Sequence, residues 1–248
     1  MSRRDDLYRH QTASAGSFRF DEQVVEVFPD MIDRSVPGYA LLVPMIGQLS
    51  KRFVQPQSVV HDLGCSLGAV SLSVHQALLA DQPPAGVRIV ATDNSPAMVK
   101  GLQQALEGLD QSAISVEARC ADLRDSDFQN CSFAILNFTL QFLELDARDE
   151  LLQRLCAGLR PGGALVLAEK INFDDPAEQE RLTHWHHDYK RLQGYSELEI
   201  ARKRNALEAV LITETEARHR ARLQAAGFAQ VTRWFQCFGF CAWVAEKA

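Results

Sequence analysis

Apolar and polar positions along this chain fall into two alternating rhythms. Short apolar runs at Ser58–Leu63, Val87–Thr92, Ile114–Ala121, Ser132–Phe138 and Ala164–Ala168 read as buried strands. Between them, Val70–Leu79, Ser95–Leu109 and Ala147–Leu159 carry apolar residues three and four apart and read as helices. Strand and helix in regular alternation predict a parallel, doubly wound α/β sheet covered on both faces. Arg160-Pro-Gly-Gly163 reads as a turn feeding the fifth strand.

The two ends depart from this rhythm. Residues 1–19 are polar and expected to be loose. Phe20–Phe28 predicts a helix with Asp21 as its cap and Val24, Val25 and Phe28 on one face. Ser35-Val-Pro-Gly-Tyr39 reads as a turn, and Tyr39–Phe53 as a second helix interrupted at Pro44 and Gly47. These leading helices, over residues 1–55, are expected to cover a ligand or simply to pack on the sheet. After Glu169 a mostly helical insertion over residues 170–229, with its helices between Pro176 and Gly227, precedes two last strands, Gln230–Gln236 and Phe240–Glu246. The few residues around Cys237-Phe-Gly239 are too few for a parallel crossover, so these strands must form an antiparallel hairpin.

Composition narrows the classes. A chain of 248 residues with 46% hydrophobic content is expected to form one domain with a substantial core. The start MSRRDDLYRH carries no secretory pattern, and runs such as Ala40–Ile46 are too short to cross a bilayer, so a soluble cytoplasmic protein is expected. Cysteines 65, 120, 131, 156, 237 and 241 are scattered and make no C-x-x-C pair, which fits small core residues in a reducing compartment. The net charge of -6 argues against direct nucleic-acid binding and favours small-molecule ligands. There is no internal repeat.

In open α/β sheets ligands lie at the carboxyl ends of the strands. Those ends are polar here: Asp62 and the loop Gly64-Cys65-Ser66-Leu-Gly68, then Asp93-Asn94, Asp122-Leu123, and Asn137. Asp93 stands about 25 positions after Gly68, near where an acidic side chain accepts both hydroxyls of a ribose and excludes a 2′-phosphate. Asp122 is placed to accept from an exocyclic adenine amine, with Leu123 against the ring, while the glycine loop carries the amino-acid part of such a ligand. Gly64–Gly68 also matches the G-x-S-x-G nucleophile elbow, but no HGG-like oxyanion loop precedes it and it follows the first strand rather than a later one. His184-Trp-His186-His187 lacks a carboxylate or cysteine at ligand spacing, so no metal is expected. In Arg202-Lys203-Arg204, helical spacing from Ile200, Ala201, Leu207 and Leu211 predicts that Arg204 faces inward while Arg202 and Lys203 point elsewhere. An inward arginine needs either a buried acid or an anionic ligand.

The segments FDEQVVEVFPDMIDRSVPGY, DLGCSLGA, DNSPAM, LNFTLQFLE, PGGALVLAEK, HHDYKR and GYSELEI closely resemble the carboxy-S-adenosyl-L-methionine synthase family over nearly the whole chain. The match departs at ARCADLRD, which replaces a glycine-aspartate step. The resemblance implies a class I methyltransferase-like fold, mostly parallel with a terminal antiparallel hairpin. It implies S-adenosyl-L-methionine as substrate, prephenate as second substrate, and carboxy-S-adenosyl-L-methionine and phenylpyruvate as products. It also implies ligand contacts at Tyr39, Gly64, Cys65, Ser66, Asp93, Asn94, Asp122, Leu123 and Asn137, with Arg204 on the ligand carboxylate. A homodimer, and a separate tRNA carboxymethyltransferase that uses the product at wobble uridine, belong to the same expectation. An ordinary methyltransferase and a non-catalytic nucleotide-binding protein are the alternatives.

Overall fold

The computed structural model describes Asp5 and residues 21–80, 82–208 and 210–248, except the side chains of 206–208. The segment expected to be loose therefore lies outside the described residues, apart from Asp5. That residue is buried, its backbone N–H donating to Asp30 Oδ2 at 2.7 Å and its carboxylate accepting from Tyr195 Oη at 2.6 Å.

Two helices open the described chain. The first, α1 (Glu22–Ser35), is capped by Asp21, whose carboxylate accepts from the N–H groups of Gln23 and Val24. The second, α2 (Tyr39–Phe53), runs without the interruption expected at Pro44 and Gly47. Pro44 sits on its exposed side, where water can take the carbonyl left without a partner. Gly47 is buried at the contact with α3 (Ala69–Leu79), where a Cβ would stand 2.6 Å from Ser73 Oγ and 2.8 Å from the Ser73 carbonyl oxygen. Close packing, not helix propensity, thus selects glycine. Because the Ser73 backbone cannot swing aside, Gly47→Ala is expected to cost about 1–3 kcal/mol as overpacking. In thermal unfolding that is a Tm lower by about 2–12 °C for a chain of this size. An unchanged Tm would mean that α2 and α3 can separate freely.

The sheet then builds from β1 (Val59–Leu63), β2 (Val87–Asp93), β3 (Ile114–Cys120), β4 (Cys131–Asn137), β5 (Leu159–Asn172), β6 (Glu214–Thr215), β7 (Gln230–Cys237) and β8 (Phe240–Glu246). Their order is β3-β2-β1-β4-β5-β8-β7, with β6 pairing the far end of β5. Pairs among β1 to β5 are parallel; β8 runs antiparallel to both β5 and β7, as the short final connection required. The strand order reverses between β1 and β4, which opens the crevice where such sheets take ligands. Helices α4 (Pro96–Leu106), α5 (Leu145–Gly158), α6 (Pro176–Leu192), α7 (Glu197–Glu208) and α8 (Glu216–Ala225) complete the described elements.

Strand β5 is far longer than the expected Ala164–Ala168. Leu159 pairs with Cys131 and Ala164 with Phe133, so the expected turn Arg160–Gly163 is a bulge within the strand. At its other end Glu169 and Lys170, whose charges end the apolar run, pair with Cys241 and Phe240. Alternate residues feed two cores. Phe133, Ile135, Ala164 and Val166 pack with α2 and α3; Ala134, Leu136, Leu165 and Leu167 pack with α5 and Trp243.

His61 lies in the middle of β1, buried edge-on against Phe128 at 5.4 Å. Neither ring nitrogen has a hydrogen-bond partner among the described residues. Burial first, then the charges of Arg119 and Arg88, push its pKa down to about 4. The unfolded chain therefore binds this proton more tightly, so the stability of the neutral ring is present above about pH 6.5 and is lost as pH falls towards 4. His61→Leu is expected to remove about 3 kcal/mol of the acid-induced loss between pH 7 and 4, read by denaturant titration at both pH values. An acid limb identical to that of the parent would show that the imidazole does not stay neutral.

Candidate functional site

At the crevice the chain turns sharply. The N–H groups of Gly64 and Cys65 both donate to the Thr92 carbonyl, at 2.8 and 3.1 Å, folding the end of β1 over β2. Gly64 has φ +75°, and a Cβ there would come within 2.4 Å of the Thr139 side chain, so glycine is required on both counts. Asp93 pins this loop: Oδ2 accepts from Ser66 N–H at 2.8 Å and Oδ1 from Ser95 N–H at 2.9 Å. Burial raises the Asp93 pKa, opposed by those two backbone hydrogen bonds. Asp62 is fully enclosed, accepts from Ser71 Oγ at 2.5 Å, and is pushed up to about 6, chiefly by burial.

A cavity of about 710 Å³ opens from this loop. Every residue expected at the site borders it: Tyr39, Gly64, Cys65, Ser66, Asp93, Asn94, Asp122, Leu123, Asn137 and Arg204. Burial and the charges of Asp62 and Asp33 raise the Tyr39 phenol, and burial likewise raises the Cys65 thiol, so both stay protonated at neutral pH. Asn137 closes β4 and borders the cavity, and its Oδ1 is buried without a hydrogen-bond partner among the described residues. Asp122 differs from a free acceptor. Its carboxylate takes the Arg124 N–H at 2.9 Å and the Arg124 guanidinium at 2.6 Å, which holds its pKa below the usual carboxylate range. A ligand amine there has to share the carboxylate with Arg124.

The basic triplet on α7 requires correction. Lys203 does not point away: it is 3% exposed, and its Nζ donates to Ser35 Oγ at 2.7 Å and Asp5 Oδ2 at 3.3 Å. It stands three residues from the buried Ile200 and shares its face, but its acid lies near the chain start, beyond the reach of helical spacing. Arg204, expected to face inward, is instead exposed, although it borders the cavity. The side chain of Leu207, part of the expected apolar stripe, lies outside the described residues.

Two further features escaped sequence reasoning. Glu169, wholly buried on β5, accepts from the N–H groups of Leu140 at 2.9 Å and Gln141 at 3.1 Å and so fixes the loop after β4; burial pushes its pKa up to about 8. From β5, α6 and α7 come Lys170, Lys190 and Lys203, which border the same cavity as the strand-end acids. In the histidine run, His186 is buried, its Nε2 2.9 Å from the Ser35 carbonyl and its ring edge-on to Phe240 at 5.0 Å. Burial lowers its pKa to about 3, and among the described residues no cluster of three metal-ligating side chains exists. The cavity is thus acidic where β1, β2 and β3 end and cationic where β5, α6 and α7 meet.

Comparison with known proteins places this geometry. A family model described as a methyltransferase domain matches residues 60–163. Human N-acetylserotonin methyltransferase in complex with SAM superposes with a TM-score of 0.60 at 18% identity, covering 92% of this chain and 55% of that one. The mitomycin 7-O-methyltransferase MmcR gives 0.59 at 16% identity, covering 98% and 62%. These likenesses establish the fold: a class I methyltransferase sheet. Much nearer in sequence are carboxy-S-adenosyl-L-methionine synthases of Erwinia tasmaniensis and Klebsiella pneumoniae, each 50% identical over 248 residues, covering all of this chain and 99% and 98% of theirs. The chain therefore belongs to the carboxy-S-adenosyl-L-methionine synthase family.

Proposed function

We propose that this chain converts S-adenosyl-L-methionine and prephenate into carboxy-S-adenosyl-L-methionine and phenylpyruvate. The observation that carries the reading is the division of charge in the cavity. Asp62, Asp93 and Asp122 come from the ends of β1, β2 and β3, and Lys170, Lys190, Lys203 and Arg204 from β5, α6 and α7, with Lys203 paired to Asp5. A sulfonium nucleoside suits the acidic strand ends. The cations suit a dicarboxylate co-substrate and a carboxylated product, and near the sulfonium itself they would oppose an ordinary methyl transfer.

In the reaction, prephenate loses carbon dioxide and hydroxide and becomes phenylpyruvate. Hydroxide takes a proton from the S-methyl group, giving water and a sulfonium ylide, and the ylide carbon bonds to carbon dioxide. Atoms and charge balance without an added base or oxidant. Enclosure by α1, α2, α6 and α7 keeps out water that would protonate the ylide. Arg204 pairs with the new carboxylate, and Asp93 holds the ribose hydroxyls. The same reading makes the protein a cytoplasmic homodimer whose product serves a separate tRNA carboxymethyltransferase acting at wobble uridine. The net charge of -6 agrees with tRNA being bound by that second enzyme.

Incubation of the pure protein with S-adenosylmethionine and prephenate, followed by mass spectrometry of the nucleoside, tests the reading. A species heavier by the mass of carbon dioxide, absent when prephenate is omitted, supports it. S-adenosylhomocysteine as product would assign an ordinary methyltransferase, and unchanged ligand a binding protein.

A further inference from the structure

Among the described residues nothing balances the Lys190 ammonium in this cavity. It lies on α6, 8% exposed, and lines the cavity wall. Among the described residues its ammonium has no hydrogen-bond acceptor and no carboxylate partner. The charged groups that act on it most are Lys203 and Lys170, both of like sign. Lys203, by contrast, is satisfied by Asp5 and Ser35. Burial and the two neighbouring lysines press the Lys190 pKa down to about 7, the response of an ammonium enclosed without a counter-charge. A lysine held in this way lowers the stability of the empty protein and is relieved when an anion enters.

Resting on the function proposed above, we infer that the Lys190 ammonium binds the carboxylate of prephenate that survives the reaction, the one retained in phenylpyruvate. The choice between the two carboxylates follows from charge flow. Decarboxylation carries negative charge away from the departing group, so an ammonium on that group would favour the ground state over the transition state. On the retained carboxylate it orients the co-substrate without opposing the bond cleavage. Lys190 is thus a substrate-binding residue on α6, in the same cavity as the nucleoside site.

Lys190→Met keeps an unbranched side chain one atom shorter and removes its charge; Lys190→Arg keeps the charge. In the full-length protein Lys190→Met is expected to raise KM for prephenate and Kd for phenylpyruvate at least tenfold. KM for S-adenosylmethionine stays within twofold of the parent, and Tm is unchanged or higher. Lys190→Arg recovers part of the loss. An active parent with a Lys190→Met variant of unaltered prephenate KM and phenylpyruvate Kd would overturn the inference and leave the proposed function standing. So would a lowered Tm with both KM values raised together, which marks a structural lysine. A parent that makes no carboxylated nucleoside overturns the proposed function, and this inference with it.

Discussion

Asp93→Ala is expected to weaken S-adenosylmethionine binding by at least about 100-fold while leaving the chain folded. Asp93 ends β2 where its two carboxylate oxygens take the N–H groups of Ser66 and Ser95, at 2.8 and 2.9 Å. It therefore shapes the glycine loop from across the crevice. In the proposed complex the same carboxylate also accepts from the ribose hydroxyls, so its loss removes the ligand contact and leaves two backbone donors unpaired. A hydrogen bond to a charged group is worth about 1.5–3 kcal/mol, and two of them account for roughly two decades or more in Kd. Asp93→Asn is no rescue. An amide has one carbonyl oxygen, so its NH₂ must confront either Ser66 N–H or Ser95 N–H. Calorimetric titration with S-adenosylmethionine and with S-adenosylhomocysteine reads the effect, since both carry the same ribose. A Kd within threefold of the parent for either variant would remove Asp93 from the nucleoside site.

The part of this site that was legible in the sequence is the part made by short-range physics. Apolar runs and glycine punctuation locate β1 and the loop after it, because a strand end and a tight turn are local events. The short connection at Phe238-Gly239 allows only an antiparallel β7–β8 pair, which limits the fold before any contact is known. What stayed hidden depends on partners far apart in the chain. Lys203 shares a face with Ile200, but a lysine there reads as buried only once Asp5, near the chain start, reaches it across the fold. Strand β5 runs past Ala168 because Glu169 and Lys170 pair with Cys241 and Phe240 of β8, the Glu169 side chain being satisfied by the Leu140 and Gln141 N–H groups; a charged residue seen alone reads as the end of a strand. Asp122 looks free until Arg124, two residues on, folds back on it. The cationic wall was missed as a whole because Lys170, Lys190 and Lys203 come from three separate elements.

Arg204→Ala is expected to abolish most formation of carboxylated nucleoside, by about 30-fold or more, while S-adenosylmethionine still binds. The asymmetry between the two nucleosides comes from one added group. In the proposed complex the sulfonium cation of S-adenosylmethionine lies near Arg204, and a guanidinium gains nothing from it. Once the methyl carries a carboxylate, a planar guanidinium can take both its oxygens, and truncating one partner of such a pair costs about 2 kcal/mol or more when the ligand shields it from water. Arg204 is exposed where it borders the cavity, so its contribution depends on the bound nucleoside covering it. The wild-type protein should accordingly bind carboxy-S-adenosylmethionine more tightly than S-adenosylmethionine, and the ratio of the two affinities should collapse towards one in Arg204→Ala. Arg204→Lys should fall between, since an ammonium supplies the charge without the fork. That ratio separates ligand recognition from scaffold damage: a distorted α7 would weaken both nucleosides alike, whereas a carboxylate contact is lost for only one of them.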